Sequence, residues 1–202
     1  MFPLGTPLVP GSLLPLQIFE PRYQQMISDV LESSEPEFGV VLIERGHEVG
    51  GGDIRSMAGT VARIVEAQTA TDGRRMVLAL GTRRMRIGEW LPDDPYPVAM
   101  VSDWPDHDSG WVDPAEVSRL FGKVVEVSSL FEQLGGPAPR LLDIEISDDP
   151  SFATFQLVAL APIGPADRQR LLVCDGPVQR LELLESALSD VEAACRFRLQ
   201  SE

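Results

Sequence analysis

The chain has 202 residues, 44% hydrophobic and 24% charged, enough for one large domain or two small ones and too apolar for a disordered chain. Its formal net charge of −14 excludes bulk nucleic-acid binding, which needs a cationic surface to displace counterions from phosphate, and sets it against an anionic membrane surface. No run approaches the ~18 consecutive apolar residues of a membrane span. Residues 1–19 are apolar but lack a basic leader and are broken by Pro3, Pro7, Pro10 and Pro15, so the expected compartment is the cytoplasm.

Residues 13–19 read as a strand and residues 21–33 as a helix opened by Pro21, with Tyr23, Met26, Ile27, Val30 and Leu31 forming one apolar stripe. Residues 38–43 form a compact β-branched run that reads as a buried strand. Residues 45–57, with Gly46, Gly50, Gly51 and Gly52, read as a loop. Strands follow at 59–68 and 75–81, separated by a turn at Asp72-Gly73, then at 84–87 and 97–104. Such a run of strands with one helix predicts a small barrel or curled antiparallel sheet.

Residues 103–111, DWPDHDSGW, read as a linker with a solvated acidic character. Asp113 then caps a helix with Pro114 in its first position and Glu116 placed to complete a capping box. Val117, Leu120, Phe121, Val124, Ser128 and Phe131 share a face, and Gly135-Gly136 ends it. Asp149-Pro150 opens a second helix that stops before Pro162, and residues 165–173 form a short third. Residues 177–199 form a long fourth, with Val178, Leu181, Leu184, Leu188 and Val191 in register. The fold class is therefore α+β: a β-rich subdomain over 1–105 followed by a helical bundle over 106–202.

Catalytic chemistry finds little support. Lys123 is the only lysine, and Gly122-Lys123-Val124 lacks the preceding glycine and following hydroxyl of a phosphate-binding loop. Gly50-Gly51-Gly52 precedes Asp53, which repels phosphate. Lys123 sits near Glu116 and Glu126, which keep a lysine charged and unfit as the base of a Ser–Lys dyad. His47 falls in the glycine-rich loop, and His107 lies between Asp106 and Asp108, where carboxylates favour the imidazolium form. Two cysteines, Cys174 and Cys195, and two scattered histidines supply no zinc site, and Asp103, Asp106 and Asp108 lack an EF-hand pattern. The cysteines are expected as buried free thiols, although a disulfide between them remains open. No cofactor, metal or catalytic residue is expected. Trp104 and Trp111, flanking the linker, either pin it to the sheet or line a cleft for an extended polypeptide.

The segment Leu14-Pro15-Leu16-Gln17-Ile18-Phe19-Glu20-Pro21-Arg22-Tyr23 resembles the signature of the Lon protease N-terminal domain family. Further similar stretches follow in order: Phe38-Gly39-Val40-Val41-Leu42-Ile43, His47-Glu48-Val49-Gly50, Gly59-Thr60-Val61-Ala62-Arg63-Ile64, Gly81-Thr82-Arg83-Arg84-Met85-Arg86-Ile87 and Tyr96-Pro97-Val98-Ala99. Met85 stands where the family usually has Phe. Asp167-Arg168-Gln169-Arg170-Leu171-Leu172 and Arg180-Leu181-Glu182-Leu183-Leu184 extend a looser similarity into the helical half.

The resemblance implies a β-rich subdomain followed by a helical one, a role in recognising substrate proteins and assembling oligomers, and no ATPase or protease domain in this chain. It points to Glu20, Arg22 and Tyr23 as candidate polypeptide-binding residues, which join Trp104 and Trp111 from the reading of the linker. The signature has a plainer reading, in which these residues fix the strand-to-helix turn. The expected function is a non-catalytic, ATP-independent module for polypeptide or unfolded protein segments, an adaptor or chaperone, with a homo-oligomer left open. The alternatives are a small-molecule sensor or scaffold with a pocket between the subdomains and, behind it, an unrecognised hydrolase.

Overall fold

The structure is a computed structural model, and the residues it describes are 1–46, 52–71, 73–107, 112–137 and 145–201. The chain divides into two compact units, Met1–Pro105 and Asp106–Glu202.

The first unit holds strands β1 (Phe2–Leu4), β2 (Leu13–Ile18), β3 (Glu37–Arg45), β4 (Ile54–Thr69), β5 (Arg75–Trp90) and β6 (Ala99–Asp103), and one helix, α1 (Pro21–Leu31). They form one sheet in the order β1-β3-β4-β5-β2, with β6 also on β5. The pairings are antiparallel except β1 on β3, which is parallel, so the sheet is mixed rather than purely antiparallel.

The expected loop over 45–57 is shorter than its glycine content suggests, because Ile54 and Arg55 already pair with Arg45 and Ile43. The strands expected at 75–81 and 84–87 are one strand. The register shifts between Gly81 and Arg83, leaving Thr82 as an extra residue whose Oγ1 donates to the Val61 carbonyl at 3.0 Å. A bulge of this kind bends a strand and breaks its alternation, which reads in sequence as a boundary.

Strand β5 pairs with β4 along one edge and serves two partners along the other. Its first half pairs with β2 and its second half with β6. At the changeover the Gly11 N–H donates to the Gly81 carbonyl at 2.8 Å and the Gly81 N–H to the Ser12 carbonyl at 2.9 Å. A Cβ on Gly81 would stand 2.5 Å from the Val9 carbonyl oxygen, so only glycine admits this close approach.

Alternation along the strands builds two cores. On one face Tyr23, Met26 and Ile27 of α1 cover Leu16, Ile18, Phe38, Val40, Ala62, Ile64, Val77 and Ala79. Val41, Val61, Met85 and Ile87 form a second, smaller cluster. Each buried aliphatic side chain contributes about 1.5–3 kcal/mol. Leu31, the last residue of the predicted stripe, stays exposed.

The second unit holds α2 (Pro114–Gln133), α3 (Pro150–Leu160), α4 (Pro165–Val173) and α5 (Pro177–Leu199), each with a proline in its first turn. Asp113 caps α2 by accepting from the Ala115 N–H at 2.9 Å, and Asp149 caps α3 by accepting from the Phe152 N–H at 2.7 Å. Glu116 does not close a capping box: it pairs with Arg119 one turn on, at 2.6 Å. Helices α2 and α5 run side by side in the same direction, joined by Arg119–Glu185, Lys123–Ser189 and Glu126–Arg196 at 2.8, 2.6 and 3.0 Å. Leu120, Val124, Val127, Leu157, Leu171, Leu184 and Leu188 fill the core. Cys174 and Cys195 are buried, and no disulfide joins them.

Asp106 departs from the solvated linker expected of it. Its carboxylate, 3% exposed, accepts from both terminal nitrogens of Arg180, which is 0% exposed, at 2.6 and 3.2 Å. Arg180 Nη1 also donates to Thr154 Oγ1 at 2.7 Å, its guanidinium lies 3.4 Å from the Phe155 ring centroid, and Ser151 Oγ donates to Asp106 at 2.5 Å. Arg180 turns inward where the apolar periodicity had placed Val178, which is exposed.

Candidate functional site

Strand β2 presents Leu16 and Ile18 to the core and therefore Leu13, Pro15 and Gln17 to the opposite face. Directly opposite residues share a face, so the register Leu13↔Leu80, Pro15↔Leu78 and Gln17↔Met76 lines up Leu13, Pro15, Met76, Leu78 and Leu80. Leu13 is 62% and Met76 47% exposed, and Val65 on the neighbouring strand and Phe19 at the end of β2 are also open to solvent. These residues form an apolar strip, open at Leu13 and Met76 and half-buried at Leu78 and Leu80, on a face that α1 does not cover. Large exposed apolar surface of this kind marks a contact site.

A charged ladder borders the strip. Arg63, opposite Leu80 on β4, pairs with Glu37 at 2.8 Å; Arg83 bridges Glu37 at 2.7 Å and Asp103 at 2.9 Å. Burial pushes the Glu37 carboxyl up, but hydrogen bonds from Arg83 and Arg63 outweigh it and hold the group below the usual carboxylate range.

The signature residues follow mainly the plainer reading. Glu20 caps α1 through its carbonyl, which accepts from the N–H groups of Tyr23 and Gln24 at 3.1 and 3.0 Å. Arg22 Nε donates to the Glu20 carboxylate at 3.1 Å, and its guanidinium lies 4.5 Å from the Tyr23 ring centroid. Tyr23 is withdrawn from any binding surface: it is 4% exposed, its ring centroid 4.4 Å from that of Phe2. Burial, foremost, pushes its phenol up to about 12.

Trp104 lies beside β5. Its N–H donates to the Arg84 carbonyl at 3.0 Å and its carbonyl accepts from Arg84 Nε at 2.8 Å. The guanidinium groups of Arg84 and Arg86 stand 4.3 and 4.0 Å from its ring centroid, leaving the residue half-buried. Trp111 lies outside the described residues, as do His47 and Asp108. Glu20 and Arg22 follow the end of β2 at Arg75, whereas Trp104 meets β5 at Arg84, roughly 30 Å along the strand at ~3.3 Å per residue. They are not one site.

The sequence reading missed Leu13, Met76, Leu78 and Leu80. The signal was present: residues 13–18 and 76–80 are apolar on both faces, which calls for burial on both, and α1 covers only one.

Lys123 Nζ donates to Ser189 Oγ at 2.6 Å, but at the surface, with Ser189 Oγ donating in turn to the Glu185 carbonyl. Nothing there supplies the desolvation a Ser–Lys dyad needs. The described residues contain no cluster of three His, Cys, Asp or Glu able to hold a metal ion.

Residues 1–190 match the family model of the ATP-dependent protease La (LON) substrate-binding domain. The Lon protease of Cytophaga hutchinsonii is 26% identical over 193 residues, covering 92% of this chain and 23% of that protein. A LON peptidase N-terminal domain and RING finger protein of Schizosaccharomyces pombe is 25% identical, covering 92% of this chain and 44% of that protein. The chain thus spans less than half the length of these relatives. The crystal structure of a Lon N-terminal domain protein from Xanthomonas campestris superposes with a TM-score of 0.64 at 28% identity, covering 92% of this chain and 95% of that one. The N-terminal domain of a Lon protease from the Mycobacterium avium complex shares the fold, with a TM-score of 0.64 at 18% identity, covering 93% of this chain and 97% of that one.

Proposed function

Because the chain belongs to the family of the LON substrate-binding domain, we propose that it is a non-catalytic module that holds extended apolar segments of client polypeptides, as an adaptor or ATP-independent chaperone of the cytoplasm. The observation that carries this reading is the apolar strip of Leu13, Pro15, Met76, Leu78 and Leu80, exposed at Leu13, Pro15 and Met76 and half-buried at Leu78 and Leu80. An apolar strand face that α1 does not cover accepts apolar side chains of any order, which suits a binder of many unfolded sequences. Shallow contact and the ordering of a flexible client limit the affinity to roughly micromolar. Glu20 and Arg22, half-buried beside Phe19, and Trp104 are proposed as secondary contacts.

The test is the affinity of the purified chain for a fluorescently labelled, permanently unfolded protein, measured by anisotropy beside a Leu13→Asp/Met76→Asp variant. The expected result is roughly micromolar binding that the variant weakens at least about fivefold, since each substitution removes an exposed apolar contact worth up to about 1–2 kcal/mol. Equal binding by the variant rejects the strip as the site. No binding by the unaltered chain rejects the function.

A further inference from the structure

The sheet has two strand edges beside β5, and they are built differently. In an antiparallel ladder, backbone groups point alternately toward the partner and away from it. The Ser12 carbonyl accepts from Gly81, so Leu13, Pro15 and Gln17 of β2 turn their backbone groups outward. Pro15, in the middle of that row, has no N–H. A proline at an outward position blunts an edge against further strands.

Strand β6 carries no such block. The Trp104 N–H donates to the Arg84 carbonyl, and the Leu91 N–H donates to the Val98 carbonyl at 2.9 Å, so Ala99, Val101 and Asp103 direct their N–H and carbonyl groups away from β5. None is proline, and among the described residues no strand pairs with that side. Each face of β6 carries one open apolar side chain: Met100 is 60% and Val101 48% exposed. Met100, Ser102 and Trp104 alternate along one face, beside the arginines that stack on Trp104. Unpaired extended backbone is matched by another extended backbone, and by little else.

We propose that β6 is an acceptor edge to which an extended client segment adds as a further strand, its alternate side chains lying against Met100 and Trp104 on one face and Val101 on the other. This rests on the polypeptide-binding reading above and adds how the segment is held. Charge selects the occupant. Asp103 is already paired with Arg83, and Arg84 and Arg86 stack on Trp104, so the charge that decides is that of the whole chain: its net −14 opposes a second copy and favours an apolar segment flanked by basic residues.

The experiment uses the full chain and a short fluorescein-labelled peptide of alternating valine and threonine between arginines, alongside the same peptide with alternate amides N-methylated. A Val101→Pro variant removes one outward N–H while leaving the bonds to β5, as Pro15 does on β2. Loss of the paired backbone bonds is expected to weaken binding roughly tenfold, whether the loss is made in the peptide or in the protein, and the two together should cost little more than either. The N-methyl comparison on the unaltered chain stands even if the proline variant folds poorly. Equal affinity for both peptides, or full affinity in a folded Val101→Pro chain, overturns edge pairing while leaving polypeptide binding intact. No binding of either peptide, or of the unfolded protein above, overturns the functional reading itself. A dimer in sedimentation that Val101→Pro abolishes overturns the client assignment and gives the edge to a second copy.

Discussion

Replacing Asp106 by alanine is expected to destabilise the helical unit by about 3–5 kcal/mol, the cost of breaking a buried ion pair by removing one partner. The structure supports the upper part of that range. Arg180 is wholly buried, and its two shortest charged contacts, 2.6 and 3.2 Å, both go to Asp106. In the variant its remaining contacts at Thr154 Oγ1 and the Ser151 and Leu171 carbonyls are neutral acceptors, and Ser151 Oγ loses its acceptor as well. For a unit of this size each kcal/mol shifts Tm by about 4–8 °C, so a fall of at least ~12 °C should follow. Urea unfolding followed by circular dichroism at the helical band measures it. An Asp106→Leu/Arg180→Met chain should recover most of the loss, since it leaves no charge buried. A cost of Asp106→Ala below ~1 kcal/mol, the range of exposed pairs, would refute the argument.

Two glycines should respond in opposite directions to alanine. Gly81→Ala pushes a Cβ against the Val9 carbonyl, which hydrogen bonds on both sides keep from retreating, and should cost about 1–3 kcal/mol in denaturant unfolding. Gly122→Ala, within α2 and with open space around its Cβ, should stabilise by about 0.5–1 kcal/mol; the same sign for both would contradict the geometry. Acid should weaken the first unit through Asp93 and Asp53. Hydrogen bonds from Arg55 hold Asp93 low; at Asp53 burial raises the pKa, but the hydrogen bonds from Arg55 prevail. Groups depressed in the fold contribute stability above their unfolded pKa of ~4 and lose it as pH falls through the folded value. The urea midpoint should therefore drop below about pH 4, and an Arg55→Met chain, already weaker at neutral pH, should drop less. Parallel profiles for the two chains would refute the linkage.

The elements were legible where one periodicity runs unbroken. Tyr23, Met26 and Ile27 marked the buried side of α1, and Pro114, Pro150, Pro165 and Pro177 marked four helix starts to the residue. The reading failed where a local irregularity is absorbed by long-range pairing. Thr82 looked like the end of a strand because a bulge breaks alternation without breaking the ladder. Residues 2–4 escaped notice because so short a strand exists only through its parallel pairing with Val40, Val41 and Leu42. Asp106 looked like a solvated linker charge, and the burial of Arg180 went unread, because nothing local distinguishes a buried charge from a solvated one; the partner far away in sequence decides it. The candidate site was half legible: Trp104 was visible as an aromatic at the linker, but the strip of Leu13, Met76 and Leu80 needed the register.

The motif that identifies the family and the surface proposed to bind clients are interleaved in one strand. Leu16 and Ile18 point inward, Tyr23 fills the space under α1, and Pro21 and the Glu20–Arg22 pair fix the turn between strand and helix. Leu13, Pro15, Gln17 and Phe19 occupy the alternate positions and face out. Substitutions at the inward positions change the fold through burial, at about 2–5 kcal/mol for a truncation to alanine. Substitutions at the outward positions leave the core contacts untouched and change only what the strip and its edge accept. The signature therefore reports the scaffold with high specificity and the client with very little, and Pro15 belongs to both sets. Its ring adds to the open face, and its missing N–H closes the β2 edge to further strands, whereas β6, the other edge beside β5, carries no such block.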